Sequence, residues 1–272
     1  MSRTIWRYLP YEIHTGAENM AIDEALLLTM SQTPEPQPVL RFYGWSPATL
    51  SLGYAQSYHK EVNEEACLAE GIDIIRRPTG GRAVLHQHEL TYSVIAPEHD
   101  PHVSGTVTQS YLRISQALLT GLKAVGVPAE MVACGGLNKA SSSACFDAPS
   151  WYELVVDGHK LVGSAQVRKE GILLQHGSIL LHFDPDLLFR LLKFPSEEIR
   201  QRLLTGFMAK ACALDEVWTQ PIEREALEGE LCSGFCDIMG IELVRSLLTE
   251  QEKDLVQEVL PKYRSEAWTK KR

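Results

Sequence analysis

The chain has 272 residues, enough for one large domain or one domain with a small appendage. Its composition, 44% hydrophobic and 22% charged, is that of a soluble globular protein, and no apolar run approaches the ~18 residues of a membrane span. The net charge of −9 argues against a general nucleic-acid binder, which would carry a basic face. The first residues lack the apolar core of a signal peptide. We therefore expect a cytoplasmic protein without nucleic-acid or membrane partners.

The first half of the chain mixes predicted helices with short strands. Apolar periodicity predicts helices at 17–30, 60–70 and 106–125, and strands at 39–45, 49–54, 72–75, 90–96 and 127–132. The last of these helices has the longest apolar face and ends before Gly126, a residue type favoured just beyond a helix C-terminus. Three prolines make 33–38 a stiff linker.

The second half begins with strands and ends with helices. Residues 134–145 are small and polar, which predicts a loop. Segments 151–156 and 159–165 flank an Asp-Gly pair and so predict a β-hairpin, followed by a strand at 173–183 that we expect Gly177 to interrupt. Helices are predicted at 185–193, 196–206, 222–239 and 249–263. Hairpins without regular βαβ alternation predict an α+β fold, with a mixed or antiparallel sheet flanked by helices.

Two adjacent glycines follow a predicted strand and are flanked by arginines. Gly80 and Gly81 lie between Arg76-Arg77 and Arg82, in a segment (78–82) that we call the glycine turn. Paired glycines let the backbone pass close to a bound molecule, and guanidinium groups offer planar forks for a phosphate or carboxylate. The spacing matches neither a Walker loop nor a dinucleotide-binding fingerprint. The motif alone therefore indicates only a ligand-binding turn.

Covalent chemistry is possible at Cys145. A free cysteine is usually a small buried hydrophobe, but this one follows a polar, serine-rich run. A nucleophilic thiol needs solvent access and a nearby cation that favours the thiolate, and Lys160 or His176 could supply one. Lys160 on its own would be read as a surface lysine of the hairpin. The small residues Gly163-Ser164-Ala165 that follow weaken that reading, because such a run in a strand often marks close approach of a ligand or another backbone.

Metal ligation has little support in the sequence. His86 and His88 would share one face of a strand, but two histidines are fewer than a structural metal site requires. Cys232 and Cys236 fit one face of a helix better than a zinc site, and no second pair of cysteines lies near them. We expect no metal ion and no disulfide framework.

Several of these segments together resemble the biotin/lipoate protein ligase and octanoyltransferase superfamily. Four motifs carry the resemblance: Asn19-Met20-Ala21-x-Asp23-Glu24-Ala25, Arg76-Arg77-x-x-Gly80-Gly81-x-x-Val84-x-His86, Asp157-Gly158-x-Lys160-x-x-Gly163-Ser164-Ala165 and Gln175-His176-Gly177-Ser178-Ile179-Leu180. Within the superfamily, the segment 143–153 around Cys145 is similar to the LipM-type octanoyltransferases. The resemblance extends over roughly residues 5 to 245, most of the chain.

The resemblance implies a biotin/lipoate-ligase-like catalytic domain over 1–245, with a helical tail over 246–272 packed on it. It implies transfer of octanoate from octanoyl-acyl carrier protein, through a thioester on Cys145 assisted by Lys160, to a lysine of the glycine cleavage system H protein. Such transfer is a step of lipoate assembly and needs no nucleotide, metal or other cofactor. Substrate contacts are implied at Arg76, Arg77, Gly80, Gly81, His86, Gly163, Ser164, Ala165, His176 and Gly177.

Departures from the pattern bear on the activity. ATP-dependent lipoate ligases of the superfamily typically have a third glycine and an aspartate where this chain has Arg82 and Gln87. LipB-type transferases place their cysteine where this chain has Ile172-Leu173-Leu174, so the nucleophile would come from elsewhere, and Cys145 fits. Two alternatives stay open: an ATP-dependent lipoate-protein ligase, and a non-catalytic acyl-binding protein or regulator.

Overall fold

The computed structural model describes residues 3–133, 152–218, 220 and 223–272. The strands are β1 (Thr4–His14), β2 (Val39–Trp45), β3 (Thr49–Leu52), β4 (Asp73–Arg76), β5 (Val84–His86), β6 (Glu89–Pro97), β7 (Glu130–Ala133), β8 (Tyr152–Val156), β9 (His159–Lys169), β10 (Ile172–Leu180) and β11 (Ile241–Arg245). The helices are α1 (Gly16–Gln32), α2 (Tyr58–Glu61), α3 (Glu64–Ala69), α4 (Val107–Ala124), α5 (Pro185–Arg190), α6 (Glu197–Met208), α7 (Leu214–Val217), α8 (Arg224–Met239), α9 (Glu250–Arg264) and α10 (Glu266–Thr269). None of these described helices combines the length and the apolarity that crossing a bilayer would need.

The described strands form two sheets. The larger has the order β11-β1-β2-β6-β10-β9-β8-β7, in which β1 runs parallel to both its neighbours and the pairs from β2 onward are antiparallel. In the smaller sheet, β3 lies between β4, to which it is parallel, and β5, to which it is antiparallel. The fold is therefore α+β with a mixed sheet, as the hairpin-rich sequence predicted.

Helices cover both faces of the larger sheet. On one face α4 and α8 bury a core that includes Leu118 and Phe235 against Phe42 and Tyr92 of the sheet. On the other face α1 and α9 pack over a second core. The smaller sheet packs with α5 and α6 in a third core, which includes Phe189 and Phe207. The smaller sheet and α1 thus lie against the same side of the larger sheet.

Most predicted elements are present, with shifts of a few residues at their ends. The strands β1, β5 and β11 were not predicted; β1 carries charged and aromatic residues without clear alternation and runs between two parallel neighbours. The predicted helix at 60–70 is wrong as one element, because one short helix ends at Glu61 with Val62 as its C-cap, and the Asn63 side chain caps the next helix. The strand at 172–180 is not interrupted at Gly177. A Cβ at Gly177 would lie 2.5 Å from Ser164 Oγ, so the glycine permits close strand pairing there.

The last helices lie against the rest of the chain. Helix α9 packs along α1, where Lys262 Nζ donates to Glu24 at 2.5 Å. In α10, Trp268 Nε1 donates to the carbonyl of Arg76 at 2.8 Å, and the Arg76 guanidinium donates to the carbonyl of Thr269. A boundary between a catalytic domain and a tail at residue 245 stays a prediction.

Close contact between α4 and α8 gives a stability prediction. Gly121→Ala is expected to lower the free energy of unfolding by about 1–3 kcal/mol, because overpacking a tight contact forces the backbone to shift. A Cβ at Gly121 would lie 2.6 Å from Leu231 Cα, an atom that cannot rotate away. Gly229→Ala on α8, with nothing within 4 Å of its Cβ, is the matched control and should be neutral or stabilising by up to ~1 kcal/mol. Urea unfolding compares them, and equal effects would contradict the packing argument.

Candidate active site

A cavity lies between the two sheets and α1, and the empty space in it, together with its open mouth, is about 350 Å³. Residues predicted to bind substrate form much of its wall: Arg77, His86, Gly163, Ser164, Ala165, His176 and Gly177. They come from segments that are far apart in the sequence. Register explains the arrangement, since Gly163 pairs with Ser178 and Ala165 pairs with His176 across β9 and β10. The structure therefore brings the separate motifs to one place.

The remaining wall is partly apolar and partly hydroxylic. Met20, Tyr43 and Val84 contribute apolar surface, and Trp45 stacks on His86 with ring centroids 3.9 Å apart. Hydroxyl groups at the wall belong to Ser51, Thr91 and Ser178. An apolar site with a few convergent polar groups suits a small, largely aliphatic ligand.

A buried carboxylate supports one side of the cavity. Asp23 of α1 is fully buried and accepts hydrogen bonds from Arg41 Nη1 at 2.8 Å, Tyr43 Oη at 2.9 Å and Ser93 Oγ at 3.0 Å. His176 Nδ1 lies 3.5 Å from the same carboxylate. Burial alone would raise the pKa of Asp23, but the hydrogen bond from His176 and the charge of Arg41 outweigh it and lower the pKa. Asp23 is therefore a charged anchor for the His176 ring.

A second buried carboxylate orients the other histidine. His86 Nδ1 lies 2.7 Å from Glu89 Oε1, and His86 Nε2 lies 2.7 Å from Ser51 Oγ. Ser178 and Thr91 also donate their hydroxyls to Glu89 Oε1. Both ring nitrogens of His86 are thus engaged with protein groups.

Sequence reasoning did not select the partners Arg41 and Glu89. The only local signal was a charged residue inside each of two otherwise apolar strands. Their partners lie on other elements and become visible only once the strands are paired.

Arg76 and Arg77 are placed differently from the predicted anion forks. Arg76 is fully buried and donates to the carbonyls of Gly53, Gln56 and Thr269, so it does not reach the cavity. Arg77 reaches the wall, but it donates to Ser51 and Thr79 and to carbonyls of the glycine turn. Both guanidinium groups therefore hold the backbone around the turn.

The two glycines of the turn have different surroundings. Gly81 has φ +93°, a conformation that favours glycine, and its carbonyl oxygen would lie only 2.1 Å from a Cβ placed on Gly53. Gly80 is exposed, and a Cβ there would meet nothing within 4 Å. Neither glycine lines the cavity, so their predicted substrate contact stays a prediction.

Lys160 lies on the same face of the larger sheet as the cavity. Leu161 and Val162 both oppose Leu154, an irregularity that places one extra residue in β9. Leu161 and Val162 both pack into the core under α4 and α8, which leaves Lys160 on the other face, with Gly163. The Lys160 side chain is 4% exposed, and its Nζ lies 2.8 Å from Glu153 Oε1. Lys160 is therefore a buried, ion-paired group and not a surface lysine; it does not line the cavity itself, and its catalytic role stays a prediction.

Comparison with known proteins fits this geometry. Residues 15–236 match the model of the lipoyl protein ligase A/B catalytic domain family. The chain belongs to this family. Two relatives are each called Octanoyltransferase LipM. The one from Moorella thermoacetica is 46% identical to this chain over 100% of both chains. The one from Brevibacillus brevis is 47% identical over 98% of this chain and 99% of that one. A solved structure of a bi-partite lipoate protein ligase and its E2 lipoyl domain from Thermoplasma acidophilum has a TM-score of 0.81 at 26% identity, covering 98% of this chain and 96% of that chain.

Within this lipoyl protein ligase A/B domain, the predicted nucleophile Cys145 lies outside the described residues. None of the described cysteines lines the cavity. Burial raises the pKa of Cys67 to about 11, and burial raises the pKa of Cys212 and of Cys232 to about 12. These three thiols are protonated at neutral pH and are not activated nucleophiles.

The buried histidine His176 gives a prediction for how stability depends on pH. Burial, aided by the charges of Arg77 and His86, lowers the pKa of His176 below its ordinary 6.5, although Asp23 opposes the shift. Below pH 6.5 the unfolded chain therefore binds a proton at this residue that the folded chain does not. As the pH is lowered from 6.5, the free energy of unfolding should fall by up to about 1.4 kcal/mol for each pH unit. Chemical denaturation between pH 5 and 8 measures this slope. His176→Gln should show a smaller slope, and an unchanged slope would contradict the assignment.

Proposed function

We propose that the chain is an octanoyltransferase of lipoate assembly. It takes octanoate from octanoyl-acyl carrier protein through a thioester on Cys145 and passes it to a lysine of the glycine cleavage system H protein. The observation that carries the proposal is the buried Lys160, which β9 directs to the cavity side of the sheet beside Gly163. The full-length relatives called Octanoyltransferase LipM support the acyl group and the reaction type.

The cavity supports a small aliphatic acyl group. Its lining combines apolar side chains with a few convergent polar groups, as ligand sites for small molecules do. The apolar side chains of Met20, Tyr43 and Val84 would contact the chain. Hydroxyl groups at the wall would orient the polar end of the ligand.

The proposed reaction has two acyl transfers. The Cys145 thiolate attacks the thioester carbonyl, the phosphopantetheine thiol of the carrier leaves with a proton, and an octanoyl thioester forms on the enzyme. The amine of the acceptor lysine then attacks this thioester, giving an amide and restoring the thiol. The Lys160 ammonium would favour the thiolate and stabilise the oxyanion of each tetrahedral intermediate. A thioester donor is already activated, so no nucleotide enters.

An ATP-dependent lipoate-protein ligase is the second candidate. The solved structure of a lipoate protein ligase favours it, because that ligase has the same fold as this chain. The two candidates differ in what they require: a thioester donor and a cysteine, or ATP and a free acid. A cytoplasmic setting, where both carrier and acceptor proteins would be available, is part of the leading proposal.

Intact-protein mass spectrometry tests the proposal directly. The purified chain is mixed with octanoyl-acyl carrier protein without ATP, and then with H protein. An octanoyl adduct that hydroxylamine removes, followed by octanoyl H protein, is expected. Modification of H protein only with ATP and free octanoate would instead establish the ligase. Tight octanoate binding without modification in either mixture would identify a non-catalytic acyl-binding protein. An isolated E2 lipoyl domain in place of H protein tests the acceptor.

A further inference from the structure

We propose that Arg77 is a positioning residue, which ties two histidine–carboxylate pairs to the glycine turn and so fixes the shape of the cavity wall. The proposal assigns His86 and His176 a role beyond lining the cavity. It rests on the proposed acyl transfer for its kinetic test, and on the structure alone for its spectroscopic test.

The first pair reaches Arg77 through Ser51. Glu89 accepts from His86 Nδ1 at 2.7 Å, and His86 Nε2 lies 2.7 Å from Ser51 Oγ. Arg77 Nη1 donates to the same hydroxyl oxygen at 3.0 Å and to the Ser51 carbonyl at 3.1 Å. Each of these side chains is buried.

The second pair reaches Arg77 through Thr79. His176 Nδ1 lies 3.5 Å from Asp23 Oδ2, and His176 Nε2 lies 2.6 Å from Thr79 Oγ1. Arg77 Nε donates to that hydroxyl oxygen at 3.1 Å. The two halves therefore repeat one order: carboxylate, histidine, hydroxyl, guanidinium.

This order determines where the protons lie. A guanidinium can only donate, so Ser51 and Thr79 accept from Arg77 and each has its own O–H left to donate. The nearby acceptor in each case is the histidine Nε2. When each O–H donates to Nε2, the ring is neutral and carries its proton on Nδ1, which faces Glu89 or Asp23. The ring orientation and the hydroxyl rotamer are thus set together.

The remaining donors of Arg77 act on the glycine turn. Arg77 Nη2 donates to the carbonyl of Gly80 at 2.8 Å and to the carbonyl of Arg82 at 2.7 Å. Val84, Ser51 and both histidines of this network line the cavity. A shift of Arg77 would therefore move the turn and the wall together. Displacements of about 1 Å at a reacting centre can reduce a rate by ~10²-fold.

Charged groups face the histidines from several elements. Asp23 comes from α1, Arg41 from β2, Arg77 follows β4, and Glu89 comes from β6. Two carboxylates are thus balanced by two guanidinium groups. A proton added to either histidine would place a third cation in this buried set and would turn Nε2 into a donor, so the hydroxyl O–H would lose the acceptor that it faces.

The first test needs no activity, and it uses variants only to assign the spectra. Nitrogen-15 histidine spectra of the wild-type protein at pH 7.5 report the tautomer of each ring. The expected result is a neutral Nδ1–H form for both His86 and His176, with His86→Gln and His176→Gln giving the assignments. An Nε2–H form or a charged ring at either position would overturn the proposal.

The second test compares two substitutions of one buried side chain. Thr79→Val removes the hydroxyl and keeps the shape, whereas Thr79→Ser keeps the hydroxyl. Thr79→Val should lower the rate of octanoyl transfer by ~10- to 100-fold, whereas Thr79→Ser should stay within about threefold of wild type. Without the hydroxyl donor the neutral form of His176 is less favoured, so the acidic limb of the pH–rate profile should move to higher pH in Thr79→Val alone.

Equal rates and equal pH limbs for the two variants would overturn the positioning role. If Thr79→Val does not fold, Ser51→Ala removes the equivalent hydroxyl of the other pair and should show the same rate loss. If the wild-type protein transfers no octanoate, the proposed function fails, but the tautomer spectra still test the arrangement of protons in this network.

Discussion

Cys145→Ala is expected to abolish the hydroxylamine-labile octanoyl adduct and to lower octanoylation of H protein by about 10⁴-fold or more. Loss of a covalent nucleophile removes the whole reaction path, so the remaining rate reflects only binding and oxyanion stabilisation. Intact-protein mass spectrometry after mixing with octanoyl-acyl carrier protein reports the adduct. A gel-based assay of H protein modification reports the overall rate.

The matched control is Cys236→Ala, which removes a partly exposed thiol from α8, away from the cavity. It should form the adduct and transfer octanoate at the wild-type rate. Cys67 and Cys212 are poor controls, because both are buried and their loss would also test packing. Full transfer by Cys145→Ala would rule out the thioester, and ATP-dependent activity in the same variant would favour the ligase.

Lys160→Met is expected to lower the rate of adduct formation by about 10²- to 10³-fold, the usual cost of removing one preorganised group that stabilises an oxyanion. Methionine keeps the length of the side chain and removes its charge. Single-turnover mass spectrometry measures the acylation step by itself. Because Lys160 is 4% exposed and paired with Glu153, its loss also removes this partner from a carboxylate that is only 15% exposed, so thermal unfolding is measured in parallel.

Lys169→Met is the matched control for Lys160→Met. Lys169 lies on the same strand, but its side chain is 49% exposed at the end of β9. It should leave both the rate and the unfolding temperature close to wild type. A second comparison separates the effect of the Lys160 charge on the rate from the effect of the ion pair on stability: Glu153→Gln keeps Lys160 and removes the negative charge that pairs with it. If Lys160→Met acylates as fast as Lys169→Met, Lys160 has no part in the reaction.

The sequence predicted the fold class because strands, turns and helices leave local signals, and it predicted many cavity residues because their motifs resemble those of a known superfamily. Apolar runs predicted β2 and β6, the Asp-Gly pair predicted the β8–β9 hairpin, and the run of small residues from Gly163 predicted a close approach there. In contrast, β1 and β11 lack clear alternation and are ordered by parallel pairing across more than 230 residues. Such long-range pairing has no local pattern, so these strands were missed.

The roles of the arginines could not be predicted for a related reason. Beside two glycines, Arg76 and Arg77 look like forks for a bound anion. The structure directs Arg76 to carbonyls that include Thr269, and Arg77 to the carbonyls and hydroxyls around the turn. A buried guanidinium satisfied by backbone carbonyls has the same sequence signature as one that binds a ligand. Only the paired strands distinguish the two.

The extra residue in β9 explains the spacing between the lysine and the glycine of its motif. In a regular strand, residues three apart point to opposite faces, so Lys160 and Gly163 would not share the cavity side. Leu161 adds one residue to the count, and an odd interval then behaves as an even one. The three-residue interval therefore works only with the irregularity: in a regular strand with the same sequence, the ammonium group would point into the apolar core under α4.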